Sequence, residues 1–284
     1  MPGALVLVAT PIGNLEDMTL RGLRTLREAD VIAAEDTRRT GKLLSHFGIA
    51  TQTVSLHEHN ERRRIPELID RVRRGQRVAI VTDAGMPVVS DPGYAVVSAG
   101  IAAGVTVEIV PGVSPLTMAL AGAGLTSEMV TFLGFPPSRS GERARWFDRS
   151  AALPGVLVLF EAPHRLRATL QAALNVLGNR TVVVAHELTK IHESWHRGTL
   201  SQLIEDKELP EKGEFTILLG PSTALGEGPP KVVPEAVKVG AEFGLMTKNG
   251  AMTRRDAIAE LAKRHGLRKR QVYSLVETAK ASVE

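Results

Sequence analysis

The chain is predicted to be an α/β protein: two lobes of alternating strand and helix, followed by a small helical unit. Five short β-branched apolar runs alternate with amphipathic helical stretches within the first 115 residues, the alternation resumes beyond residue 123, and a Pro/Gly-rich stretch then sets off a Lys/Arg-rich end. The five runs, 4–9, 31–34, 53–56, 78–81 and 105–110, each end in a short polar loop: TPIGN, EDTRR, HEHN, DAGMP and PGVSP. Open α/β sheets bind ligands at the carboxyl ends of their strands, so these loops mark one functional rim.

The intervening helices are expected over 19–29, 39–47, 61–74 and 94–103, with Gly48, Gly75 and Gly104 placed as C-terminal caps. Strand–helix–strand alternation requires parallel pairing, which makes 1–112 a parallel lobe. The second lobe, 113–220, begins with an Ala/Gly/Leu helix over 115–123. It continues with a strand at 130–133, a helix at 142–152, a strand at 156–160, a helix at 166–177 and strands at 181–185 and 215–219. Three prolines and two glycines make 221–231 a linker. In 232–284, Thr253 and Asp256 form a capping-box pattern ahead of Ile258, Leu261 and Ala262. A second helix carries Val272, Leu275, Val276 and Ala279 inward and Tyr273 outward, with Arg268, Lys269 and Arg270 at its start. That order is a helix-turn-helix with a basic second helix; a helical hairpin docked on a protein surface fits it equally.

Composition removes several classes of function. With 284 residues and 43% hydrophobic content the chain can bury a substantial core, and no run of roughly 18 uncharged apolar residues is present to span a membrane. The first residues lack the basic-then-apolar pattern of a secretory leader. Zero cysteines exclude disulfides, thiolate zinc sites and a cysteine nucleophile, and fit a reducing cytoplasm. The net charge of +4 is unevenly placed: residues 248–284 hold nine Lys/Arg against four Asp/Glu, a net of +5, which leaves −1 on the other 247. A basic end on a near-neutral body suits a polyanionic partner, nucleic acid above all.

The loops narrow the ligand. TPIGN lacks the spaced glycines of a dinucleotide fingerprint, and no phosphate-binding P-loop pattern occurs. The segment from Asp83 to Gly93, DAGMPVVSDPG, packs two glycines, two prolines and two aspartates into eleven residues. Proline fixes φ and glycine admits positive φ, so this is a stiff loop with backbone groups at fixed positions. A rigid backbone-lined pocket suits a zwitterionic or adenine-bearing small molecule better than a divalent metal.

In order along the chain, TPIGNLEDMTLR, AAEDTRRT, DAGMPVVSDPGY, PGVSPL, GFPP, FEAPHR, AHELTK and GEFTILLG resemble the bacterial ribosomal RNA small subunit methyltransferase I family. That family belongs to the tetrapyrrole methylase superfamily, a class of S-adenosylmethionine enzymes that includes diphthine synthase. The resemblance implies two α/β lobes of the tetrapyrrole methylase type with the methyl-donor cleft between them. It further implies methyl transfer from S-adenosylmethionine, without a metal, to the ribose 2′-oxygen of a decoding-region cytidine in 16S rRNA. The acceptor is the assembled small ribosomal subunit, and the enzyme a cytoplasmic homodimer. By resemblance the donor is bordered by Pro11 and Gly13, by Asp83, Ala84, Gly85, Met86 and Pro87, and by Ser114. Phe160, Glu161, Leu188, Glu214, Phe215 and Thr216 close over it. Met86 departs from the family pattern, which more often has Thr there; a backbone contact survives that change and a hydroxyl contact does not.

Methyl transfer to a ribose oxygen is an in-line displacement, for which correct orientation alone is worth roughly 7–11 kcal/mol. A general base adds about 10²–10⁴-fold. Acceptor-side candidates are Glu35, Asp36, His57, Asn60 and His164, with Asp36 or His57 favoured as proton acceptor. Arg38 and Arg39 are placed to hold phosphate, and Asn14 and Asn60 are expected among the RNA-binding residues. Arg139, Arg143 and Arg145 form a second basic cluster facing RNA backbone, and Arg268, Lys269 and Arg270 a third. Three alternatives carry their own signals. His192-Glu193-Ser194-Trp195-His196 matches the zinc-peptidase pattern HExxH, provided that it lies on a helix. A tetrapyrrole acceptor is the nearest change of substrate, and the basic end weighs against it. A DNA-binding regulator would use the terminal helices as reader and the body as sensor.

Overall fold

The computed structural model describes residues 2–125, 128–221, 236–247 and 252–265, together with 272, 273, 275–277 and 279. The chain divides into two compact units, Met1–Leu225 and Gly226–Glu284. In the first unit a five-stranded sheet comprises β1 (Ala4–Val8), β2 (Val31–Ala34), β3 (Thr53–Ser55), β4 (Arg77–Val81) and β5 (Thr106–Val110). Its order is β3-β2-β4-β1-β5 and every pair is parallel. The helices between them are α1 (Leu20–Glu28), α2 (Thr37–His46), α3 (Glu61–Arg73) and α4 (Tyr94–Ala102). Strand residues alternate between two apolar layers: Ala4, Val6 and Val8 pack with Leu26 and Leu44 of α1 and α2, and Leu5 packs with Leu68, Val72 and Val96 of α3 and α4. The sheet is therefore doubly wound. Its connections reverse direction between neighbouring β1 and β4, the point at which such sheets open a crevice.

The second sheet, in the same unit, has the order β6-β7-β10-β8-β9. It comprises β6 (Val130–Gly134), β7 (Val156–Glu161), β8 (Thr181–His186), β9 (Ser194–Thr199) and β10 (Phe215–Leu219). Only β6 and β7 are parallel; β10 runs antiparallel to β7 and β8, and β8 to β9. Phe147 of α6 (Ser140–Ser150), Leu166 and Leu170 of α7 (Leu166–Leu177), and Leu200 and Leu203 of α8 (Leu200–Glu205) bury one face. The other face packs on α5 (Pro115–Ala123) and on Ile12, with Ala84 and Val113, which belong to the loops of the first sheet. One apolar cluster thus ties the two lobes together.

A second tie is polar and close. The N–H of Asn14 donates to Thr189 Oγ1 at 3.0 Å. A Cβ placed on Gly13 would lie 2.7 Å from Thr189 Oγ1 and 3.0 Å from the carbonyl of Leu188, and would also meet Lys190 Cγ. Only glycine lets the first loop of lobe one pass beneath the loop after β8.

Strand β9 and helix α8 are absent from the sequence reading. The segment SWHRGT has no apolar alternation to betray it, and it is held by the register of β8, where Val184 faces His196. The HExxH reading fails on this geometry: its last three residues lie in a strand, and Glu193 accepts from Thr189 N–H at 2.7 Å and from Trp195 Nε1 at 2.9 Å.

In the second unit, α9 (Ala236–Thr247), also absent from the sequence reading, and α10 (Arg254–His265) enclose a small core of Val239, Phe243, Ala257 and Leu261 with Val272 and Val276. Thr253 Oγ1 accepts from Asp256 N–H at 3.2 Å, the expected cap, and Tyr273 is exposed while Ala279 is buried. Among the described residues no helix is long and apolar enough to cross a membrane. Arg268, Lys269 and Arg270, and linker positions 222–231, lie outside the described residues.

Two contacts yield stability predictions. Glu61 Oε1 accepts from the N–H groups of Gly93, Ala95 and Val96 at 3.1, 2.7 and 3.2 Å, so a carboxylate of α3 caps α4. Glu61→Ala leaves those donors unmet and should lower unfolding free energy by about 1–3 kcal/mol in urea titrations. Gly13→Val should cost about 1–3 kcal/mol by overpacking, read as a lower melting temperature, whereas the same change at Gly41, where an added Cβ meets nothing within 4 Å, should cost less.

Candidate functional site

The site is built at the strand reversal. Past β1 the chain makes a two-bond bridge to the loop after β4: Thr10 N–H donates to Gly85 O at 2.9 Å and Gly85 N–H to Thr10 O at 3.0 Å. Thr10 Oγ1 also donates to Thr82 O at 3.0 Å. Gly85 holds φ +80°, and a Cβ there would stand 3.4 Å from Pro115 and 3.5 Å from Ile12. Beyond the bridge, Val88 and Ser90 also take positive φ, 76° and 67°, before Gly93 at 118° begins α4. A β-branched residue is strained there, and such strain persists where surroundings over-determine it. Here the Glu61 cap anchors the loop's far end.

A cleft of about 380 Å³ opens between the lobes at this point, within the range of small-molecule sites. Ten of the fourteen residues expected at the donor line it: Asp83, Ala84, Met86, Ser114, Phe160, Glu161, Leu188, Glu214, Phe215 and Thr216. Pro11 and Gly13 instead line an adjoining cleft of about 290 Å³, which shares Ile12, Arg39, Asp83, Ala84 and Glu214 with the first. Gly85 and Pro87 are buried behind the wall and line neither.

The wall is apolar on one side and acidic on the other. Phe160 meets Phe132 and Phe135 edge-to-face at centroid distances of 4.9 and 5.6 Å. Opposite, Asp83 Oδ2 pairs with Arg39 at 3.1 Å, its Oδ1 accepts from Asp36 N–H, and its own N–H donates to Glu35 Oε2. Burial, with repulsion from Asp83, raises the pKa of Glu35. Burial, with repulsion from Glu35 and Asp83, raises Asp91 to about 7. Asp91, Val89, Ser90 and Phe135 line the cleft although the sequence reading did not single them out. The signal was present in the second turn of DAGMPVVSDPG and in GFPP.

The acceptor-side candidates divide. Arg38 and Arg39 are exposed, and Arg39 lines both clefts. Asp36 caps α2 through Arg38 N–H at 2.8 Å and is gripped by the Arg38 guanidinium, whose hydrogen bonds hold its carboxyl well below the usual carboxylate range. Neither Asp36 nor His57 lines either cleft; His57 Nδ1 is buried with no hydrogen-bond partner among the described residues, and the backbone N–H of His57 donates to Asn60 Oδ1. Asn14 is exposed, and its side chain caps the turn at Leu15–Asp17. His164 is exposed outside both clefts. Two expected RNA contacts are corrected. Asn60 is 8% exposed and donates to the carbonyl and hydroxyl of Ser55, so it shapes its own loop. Arg143 is 6% exposed, with its guanidinium on the carbonyls of Pro137 and Ser138, because the GFPP loop needs a buried donor. Arg139 and Arg145 remain exposed, Arg139 paired with Glu142.

Comparison with known proteins gives this geometry a family. Residues 4–204 match the Tetrapyrrole (Corrin/Porphyrin) Methylases. Ribosomal RNA small subunit methyltransferase I of Halalkalibacterium halodurans is 42% identical over 285 residues, covering 96% of this chain and 94% of that protein. The protein of that name in Synechocystis is 42% identical over 275 residues, covering 96% and 97%. Among solved structures, diphthine synthase superposes with a TM-score of 0.60 at 18% identity over 76% of this chain and 90% of its own. Uroporphyrin-III-C-methyltransferase from Thermus thermophilus does so with 0.54 at 23% identity over 78% and 96%. At those identities the solved structures establish the two-lobed fold, and the sequence relatives, matched over nearly their whole length, establish more: the chain belongs to the ribosomal RNA small subunit methyltransferase I family of the tetrapyrrole methylases.

Proposed function

We propose that this protein transfers the methyl group of S-adenosylmethionine to the ribose 2′-oxygen of a decoding-region cytidine in 16S rRNA, on the small ribosomal subunit in the cytoplasm. The observation that carries the reading is the coincidence of family match and geometry: in a chain of this family, the loops that carry its motifs converge on one interlobe cleft. The cleft suits the donor. Phe160, Phe215 and Leu188 offer an apolar wall for an adenine ring, and Glu35 and Asp83 offer negative charge for a sulfonium and an ammonium. Bound there, the donor supplies an electrophilic methyl group. The protein's part is to hold both reactants in line, exclude water and take up a proton. Exposed Arg38 and Arg39 on α2, beside the cleft, suit phosphate, and half-exposed Phe135 suits a base turned out of its stack.

The other partner is a second copy of this chain. Helix α4 is apolar around its whole circumference, a composition expected of a buried helix. Yet Tyr94 is 71% and Ile101 65% exposed, and Ile109 on the neighbouring edge strand β5 is 59% exposed. An apolar flank on an unpaired sheet edge is the kind of surface that a partner covers.

Labelled S-adenosylmethionine should mark small subunits from a strain lacking the protein and leave those from a strain possessing it unmarked, with mass spectrometry placing the methyl on a cytidine ribose. Absence of any label would overturn the assignment. Gly85→Arg, which forces a side chain onto a buried φ of +80°, should abolish labelling. Light scattering should find a dimer that Ile101→Asp converts to monomer; a monomeric wild type would exclude this interface.

A further inference from the structure

The reaction needs a group to accept the hydroxyl proton, and the carboxylates of the cleft can be sorted by what already holds them. Asp83 is held by Arg39 and by Asp36 N–H. Glu35 accepts from Asp83 N–H. Glu161 is 2% exposed and bound by Arg165, Thr169 and Ala162 N–H. Glu214 pairs with Lys190 at 3.0 Å. Asp91 lines the same cleft, and among the described residues no hydrogen-bond donor or cation engages its carboxylate. Outside the cleft lining, Asp36 is neutralised by Arg38 at 2.9 Å.

We propose that Asp91 is the catalytic base of the methyl transfer, its free carboxylate accepting the acceptor's hydroxyl proton in the interlobe cleft. Three features place it for that work. It stands on a loop pinned at one end by the Thr10–Gly85 bridge and at the other by the Glu61 cap, so its position is fixed before substrate arrives. It is partly buried, and the same cleft is lined by the apolar Val89 and Phe135. Finally, its charged surroundings are carboxylates: Glu35 from the β2 end and Asp83 from the β4 end act on it directly, while Arg39 is engaged by Asp83 and Arg165 by Glu161. These neighbours and burial bring its pKa to about 7, where a general base is most effective near neutral pH.

In the step, the hydroxyl O–H bond breaks toward Asp91 as the oxygen forms a bond to the methyl carbon. The carbon–sulfur bond breaks with its electron pair left on sulfur, giving a neutral thioether. The proton later leaves Asp91 for solvent.

The inference rests on the proposed methyl transfer, and one experiment separates the two. Wild type, Asp91→Asn and Asp91→Ser are assayed with labelled S-adenosylmethionine and unmodified small subunits from pH 5.5 to 9, with donor affinity measured separately by calorimetry. Wild-type kcat/KM should rise with pH through about 7. Both variants should lose about 10²–10⁴-fold in kcat and the acid limb, with donor affinity within threefold of wild type. Relief of repulsion from Glu35 and Asp83 should leave their melting temperatures at or above wild type near pH 8. An inactive wild type overturns the methyl-transfer reading. An active wild type matched by either variant in kcat and pH profile overturns the role of Asp91, as does a loss confined to donor affinity.

Discussion

Everything in the body depends on the reversal of winding between β1 and β4. Parallel strands must be joined by crossovers, and where the crossovers leaving two neighbouring strands pass to opposite faces the strand ends part and leave backbone groups without sheet partners. The pair of hydrogen bonds between Thr10 and Gly85 satisfies the first such groups and splays the two chain segments beyond them. The loops after β1 and β4 therefore pack in part against the second lobe. Ile12 and Ala84 enter the apolar cluster of that lobe, and the cleft forms along the same seam.

The seam also explains the local strain. A loop carrying Val88 and Ser90 at positive φ is costly in isolation, by about 1–3 kcal/mol at each such residue. It is retained because the Glu61 carboxylate satisfies three N–H groups at the start of α4 and the bridge fixes the opposite end. Burial and electrostatics then act together: the loops that form the seam bury Asp91 and Glu35 close to Asp83, and burial first, then repulsion between these carboxylates, raises both pKa values.

Charge in this protein does two kinds of work that composition cannot separate. Arg38 and Arg39 stand in solvent, Arg39 lining the cleft, whereas Arg143, in an equally basic stretch of sequence, is consumed by loop carbonyls. The same division separates exposed Asn14 from buried Asn60.

Much of the fold was legible in the sequence. Apolar periods of two and of 3.6 residues located the first five strands and the amphipathic helices α1, α2 and α3 to within about two residues, since those patterns are local, and the wholly apolar α4 was marked by its length and the glycines at its ends. The motifs likewise carried the family and most of the cleft wall, because loops that shape a rigid backbone site need Gly, Pro and Asp at fixed places. Tertiary structure decided the rest. Strand β9 exists through pairing with β8, a non-local register that its polar sequence does not encode, and α9 is set by packing against its neighbouring helices in the second unit. Which carboxylate of the rim stays unpaired was also beyond sequence: Asp36 and Asp91 have the same intrinsic acidity, and it is the hydrogen bonds of Arg38 to one and the burial of the other, beside Glu35 and Asp83, that drive them apart.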